Sequence, residues 1–114
     1  MAYFKVFDYW HHSIIAYADT WQHAIYGHPE LIGKEGIVMT SLVTPIELQQ
    51  SDTAKSTHLY IGPAIAQGIY LGEYPVSVVR LEGVPTTGRV WVTGYFTSLL
   101  PPGKVLWTKR DLDK

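Results

Sequence analysis

Apolar and polar positions alternate from the start of the chain. In Tyr3–Tyr9, Phe4 and Val6 fall on one side of an extended backbone, Lys5 and Phe7 on the other, so the segment predicts a first strand. Trp10–Tyr17 either continues that strand or turns. The pattern then changes period. Ala18, Trp21, Ala24 and Ile25 recur at helical spacing, and Asp19 is placed to cap free amides, with Gly27 and His28-Pro29 as a stop. These signals predict a short helix over residues 19–26. Leu31–Gly36 reads as a glycine-marked loop. Ile37–Leu48 reads as a long extended run, placed at a sheet edge or bent by Pro45, which has no amide to donate.

Polar residues fill Gln49–Ser56, and Thr57–Ile61 returns as a short strand, so the two runs predict a loose hairpin. Gly62–Gly68 can hold one helical turn with Pro63 at its first position. Ile69–Tyr74 is read as a short strand. Three further strands, Val76–Glu82, Arg89–Ser98 and Val105–Thr108, are joined by Gly83–Gly88 and by Pro101-Pro102-Gly103, and Lys109–Lys114 is a charged tail. Strands this closely spaced, with turn residues between them, predict an α+β chain dominated by antiparallel strands. The expected form is a barrel-like or sandwich-like bent sheet with one short helix. Too few helices alternate with the strands for a doubly wound parallel sheet.

At 114 residues the chain is expected to form a single domain over 1–114, able to bury about two-thirds of its unfolded surface without cross-links. Only 17% of residues are charged, against an ordinary share of about a quarter. Aromatic and neutral polar groups must therefore cover part of the surface. That favours a homodimer or a complex, with Ile37–Leu48 and Val105–Thr108 as candidate pairing edges. The nine basic residues are scattered and the formal charge is −1, which disfavours a nucleic-acid backbone as partner. The chain has no cysteine, which removes disulfides and thiolate metal sites and fits a cytoplasmic setting. The N-terminal residues lack the basic start and unbroken apolar core of a signal peptide, and no membrane association is expected.

Candidate chemistry is sparse. Five histidines (His11, His12, His23, His28 and His58) show no ligand spacing, so neither metal nor cofactor is expected. Asp8 and His12 share a face if residues 3–12 form one strand. Nucleophile elbows, phosphate-binding glycine loops and dinucleotide fingerprints are absent, so no catalytic residue is assigned. The most specific feature is the strand Arg89–Ser98. Val90, Val92 and Phe96 make a core face, and Arg89, Trp91, Thr93, Tyr95 and Thr97 make the other, with Trp107 on the next strand beside them. Arg89, Trp91, Tyr95 and Trp107 are thus the candidate residues for binding a partner or ligand, unless a second layer makes that face core too.

The stretch Gly33-Lys34-Glu35-Gly36-Ile37-Val38-Met39-Thr40-Ser41-Leu42-Val43, followed by the return Thr57-His58-Leu59-Tyr60-Ile61-Gly62, resembles a pattern in short bacterial and phage proteins. The resemblance covers about a quarter of the chain and carries no activity to transfer. It implies a bacterial or phage cytoplasmic setting and favours binding over catalysis. The expected function is a non-enzymatic binding module, an inhibitor or adaptor acting on a protein partner or on itself. The alternatives are a small-ligand-binding or sequestering protein with an aromatic pocket, for a ligand such as a nucleotide, and a histidine-dependent hydrolase or lyase.

Overall fold

The structure, a computed structural model, describes residues 1–82 and 88–109. Its elements are β1 (Ala2–Phe7), β2 (Ser13–Tyr17), α1 (Ala18–Gly27), a 3-10 turn (Pro29–Leu31), α2 (Glu35–Val43), β3 (Glu47–Gln50), β4 (Thr57–Ile61), β5 (Tyr74–Glu82), β6 (Gly88–Thr97) and β7 (Lys104–Thr108). All seven strands join one mixed sheet in the order β1-β2-β6-β5-β4-β3-β7. β2 and β6 run parallel, and every other neighbouring pair is antiparallel.

The β-rich α+β expectation holds, and its finer form needs correcting. The sheet is open, with β1 and β7 as its edges, so it is neither a barrel nor a sandwich. Among the described residues there are two α-helices, because residues 35–43 are helical where the end of a loop and an extended run from Ile37 were expected. Val38, Ser41 and Leu42 are the buried positions of α2, at i, i+3 and i+4. Ile37, Val38 and Val43 favour strands locally, but packing on the sheet outweighs that preference. Pro45 stops this helix and does not bend a strand: the chain leaves helical geometry at Thr44, as a residue before proline does.

The other departures are local. Residues 9–12 turn, with Asp8 N–H donating to the His12 carbonyl and His11 at φ 68°, so β1 does not extend to His12. Residues 63–73 form a loop, without the helical turn or the short strand expected there. α1 is where it was expected, burying Trp21 and Ala24, but Asp19 lies in its first turn and does not cap it. The expected link at 83–87 and the tail beyond Lys109 lie outside the described residues.

Side chains that share a sheet face can be traced through the register. Val78 pairs with Thr93 but Val79 pairs with Trp91, so Val92 is an extra residue and the strand is bulged there. The bulge reverses the alternation, and Trp91 faces the same way as Gly94 and Phe96. Both helices cover that face. Trp91 is fully buried, its ring 5.3 Å from that of Trp21 and 6.1 Å from that of Phe4. Its indole N–H donates to Ser77 Oγ at 3.2 Å, Ser77 and Ser41 hydroxyls lie 2.7 Å apart, and Ser41 Oγ donates to the Val38 carbonyl. A satisfied chain of polar groups therefore ties α2 to the sheet inside the apolar core.

Two glycines make this packing possible. A Cβ at Gly94 would stand 3.2 Å from Trp91 Cζ2 and 3.0 Å from the Val76 carbonyl oxygen, and one at Gly62 would stand 2.9 Å from Ser41 Cα. Gly62→Ala would have to push α2 off the end of β4. It should cost about 1–3 kcal/mol in a urea titration, with the slope unchanged.

Candidate functional site

The Asp8 turn is a folded hub. Asp8 is buried, and its carboxylate accepts hydrogen bonds from Trp10 N at 2.9 Å, His12 N at 2.7 Å and the Tyr60 hydroxyl at 2.5 Å. His12 Nδ1 lies 3.2 Å from the second carboxylate oxygen. Two short-range bonds fix the turn, and the bond to Tyr60 on β4 fixes the turn to the sheet. Asp8 and His12 do come together here, but a turn creates the pairing. A shared strand face does not.

Beside this hub lies a cavity of about 360 Å³, lined by Trp10, His12, Leu48, His58, Tyr60, Arg89, Leu106 and Trp107. Sheet register explains why distant residues converge there. His58 pairs with Val79, and Val79 with Trp91, so β4 and β6 present His58 and Arg89 on the helix-covered face. Leu48 pairs with both Tyr60 and Trp107, which adds β3 and β7 to the same face. Trp10 closes the cavity from the turn, its ring 5.1 Å from that of Trp107 at 87° and 6.2 Å from that of Tyr60.

The polar groups of this cavity are unevenly satisfied. His58 Nδ1 and the Arg89 Nε and Nη1 atoms are buried without a hydrogen-bond partner among the described residues. Buried donors without partners are costly, most of all on a charged group. The opposite holds at Tyr60, whose phenol is satisfied by Asp8. Burial first, then that hydrogen bond and the Asp8 charge, push its pKa far above the usual phenol range, and Arg89 opposes the shift only weakly.

Burial also pushes the His58 pKa down, and the charges of Arg89 and His12 push the same way, against a smaller pull from Asp8. His58 is therefore neutral near pH 7. In the unfolded chain it takes a proton near its ordinary pKa of about 6.5. Between that value and the lower folded one the unfolded state holds more protons, so His58 makes stability fall as pH drops below about 6.5. His58→Gln should flatten that acid limb. From about pH 7.5 to about pH 5 the melting temperature of the parent should fall more steeply than that of the variant, and parallel curves would show that His58 is not desolvated.

Of the residues singled out from the sequence, Arg89 and Trp107 both line this cavity. Trp91 does not: it is core, so its assignment to an exposed recognition face is corrected, the bulge and α1 being the cause. Tyr95 is half-buried beyond the short β2–β6 pairing, its ring 6.1 Å from that of His28, and lies outside the cavity lining. His58, Tyr60 and Trp10 were not singled out as site residues. The alternation His58-Leu59-Tyr60 in a strand is the signal that could have placed two of them on one face.

A second cavity, of about 400 Å³, lies between α2 and residues 63–70, with Ile37, Ile65, Ile69, Tyr70 and Phe96 in its walls. Lys34 is the sole residue of its lining that carries a charge at neutral pH. Among the described residues no group of three or more His, Asp or Glu side chains converges, and no helix is long and apolar enough to cross a membrane. No protein-family profile, no characterised protein and no solved structure matches the chain.

Proposed function

We propose that this protein binds a small anionic ligand with a flat apolar body, a nucleotide being the class that fits, in the cavity beside the Asp8 turn. The observation that carries this reading is the Arg89 guanidinium, buried at Nε and Nη1 without partners among the described residues, in a cavity it shares with neutral His58 and two tryptophans. A phosphate or carboxylate oxygen in the cavity would pair with the guanidinium that Arg89 brings to its wall. Trp10 and Trp107 would take the ring. A bond to a charged group of this kind contributes about 1.5–3 kcal/mol.

Isothermal titration with nucleoside 3′-monophosphates tests it. Saturable binding is expected, weakened about 10-fold or more in Arg89→Met at unchanged or higher melting temperature, because the variant also removes a buried unpaired charge. No binding by any of the four common nucleotides, or equal binding by the variant, would overturn the reading.

A protein partner or self-association is supported by a different observation. β7 is an edge strand whose Val105 and Leu106 are 50% and 43% exposed, and Leu99 and Leu100 are exposed on the approach to it. Pairing through β7 would bury them. Light scattering at high micromolar concentration should return a multiple of 12.9 kDa, and Val105→Lys should return the monomer mass. A monomer mass for the unaltered chain would exclude self-pairing.

A further inference from the structure

We propose that the cavity beside the Asp8 turn also cleaves a ribonucleotide phosphodiester, transferring the phosphorus to the neighbouring 2′-hydroxyl, with His58 as base, His12 as acid and Arg89 on the phosphate. This deepens the nucleotide-binding reading and rests on it.

The argument starts from which groups line the cavity. No serine, threonine or cysteine is among its lining residues, and the one hydroxyl there, on Tyr60, is buried and already given to Asp8. The walls thus offer two imidazoles and a guanidinium, which can move protons and hold charge, but no protein nucleophile. A substrate that suits such a set carries its own nucleophile beside its anion. A ribonucleoside 3′-phosphodiester does: its 2′-oxygen stands next to the phosphorus, its phosphate matches Arg89, and its base is a flat ring for Trp10 or Trp107.

Each imidazole has the surroundings its step needs. His58 has its Nδ1 buried, which leaves Nε2 as the ring nitrogen open to the cavity, and burial beside Arg89 keeps the ring neutral and ready to accept a proton. His12 is turned the other way. Its Nδ1 lies 3.2 Å from the Asp8 carboxylate, which fixes the ring, and its Nε2 is left for the substrate. Asp8 is itself held by two backbone amides and by Tyr60, so it acts as a positioning residue that does not touch substrate.

The step balances without any added reagent. His58 Nε2 takes the 2′-hydroxyl proton as the 2′-oxygen bonds to phosphorus. The phosphorus–O5′ bond breaks, its electron pair goes to O5′, and His12 gives that oxygen a proton. Arg89 offsets the charge on the phosphoryl oxygens through the five-coordinate transition state. The products are a 2′,3′-cyclic phosphate and a free 5′-hydroxyl. Proton exchange with water restores both histidines. The scattered basic residues give a long polymer nothing to lie along, so the fitting substrate is a dinucleotide or the end of a short strand.

Incubation of the protein with the ribodinucleoside monophosphates and their 2′-deoxy counterparts, read by mass spectrometry, tests this. Cyclic-phosphate product is expected from ribo substrates and none from deoxy. His12→Ala and His58→Ala should each lower the rate roughly 10²–10⁴-fold. Circular dichroism spectra and melting curves like those of the parent confirm that the variants fold. Nucleotide binding without cleavage of any ribo substrate would overturn this inference and leave the binding reading standing. Cleavage of the deoxy compounds, or cleavage that survives in both histidine variants, would overturn it as well.

Discussion

Trp91→Ala should lower the folding free energy by about 3–5 kcal/mol, the cost of emptying a large aromatic site in a packed core. The indole is fully buried against Phe4 and Trp21, and Gly94 leaves it no slack to collapse into. The substitution also strips the N–H donor from Ser77 Oγ, the first link of the chain that reaches Ser41 and α2. For a domain of this size the melting temperature should fall by roughly 10 °C or more. Trp91→Phe separates the two losses: it keeps most of the volume but not the donor, and should cost about 1–2 kcal/mol. Tyr95→Ala, at a half-buried site on the same strand, should cost clearly less than Trp91→Ala. A Trp91→Ala protein that melts within a degree or two of the parent would mean that this side chain is not in the core.

The contrast between Trp91 and Tyr95 shows where a sequence reading stops. Alternation along Arg89–Ser98 locates the strand correctly and puts Trp91 and Tyr95 on one face, which is true of an unbroken strand. The extra residue at Val92 reverses the alternation halfway, and nothing in Val-Thr-Gly-Tyr announces a bulge. The strands β4 to β7 were legible because β-branched and aromatic residues run together between glycine and proline turns. α2 was not, because an almost continuous apolar run has no period to read, and Pro45 ends a helix as well as it bends a strand. The site was half legible. Arg89 and Trp107 stood out by residue type, and Asp8 with His12 by spacing. What joins these pairs is register across β3, β4 and β6 together with a hydrogen bond between residues 52 apart, and local pattern carries neither.

That long-range bond sets the second large effect. Asp8→Ala should cost roughly 3–5 kcal/mol, the range for removing one partner from a buried charged network. It leaves the Tyr60 hydroxyl buried without an acceptor and two amides of the turn without theirs, at a position where His11 already sits in left-handed geometry. Tyr60→Phe should cost less, about 1–2 kcal/mol, because Asp8 keeps its two amide donors and His12. The double variant discriminates between a shared network and two independent losses. Once Asp8 is gone, the Tyr60 hydroxyl is an orphan whose removal brings relief, so the double variant should be more stable than the sum predicts, by about 1 kcal/mol or more. Urea titrations of the four proteins measure this directly. Additivity to within about 0.3 kcal/mol would mean that Asp8 and Tyr60 do not share a bond in solution, and the turn would then lose its anchor to the sheet. His12 would lose its fixed place beside the cavity with it, because the same carboxylate holds the imidazole, the turn and β4 together.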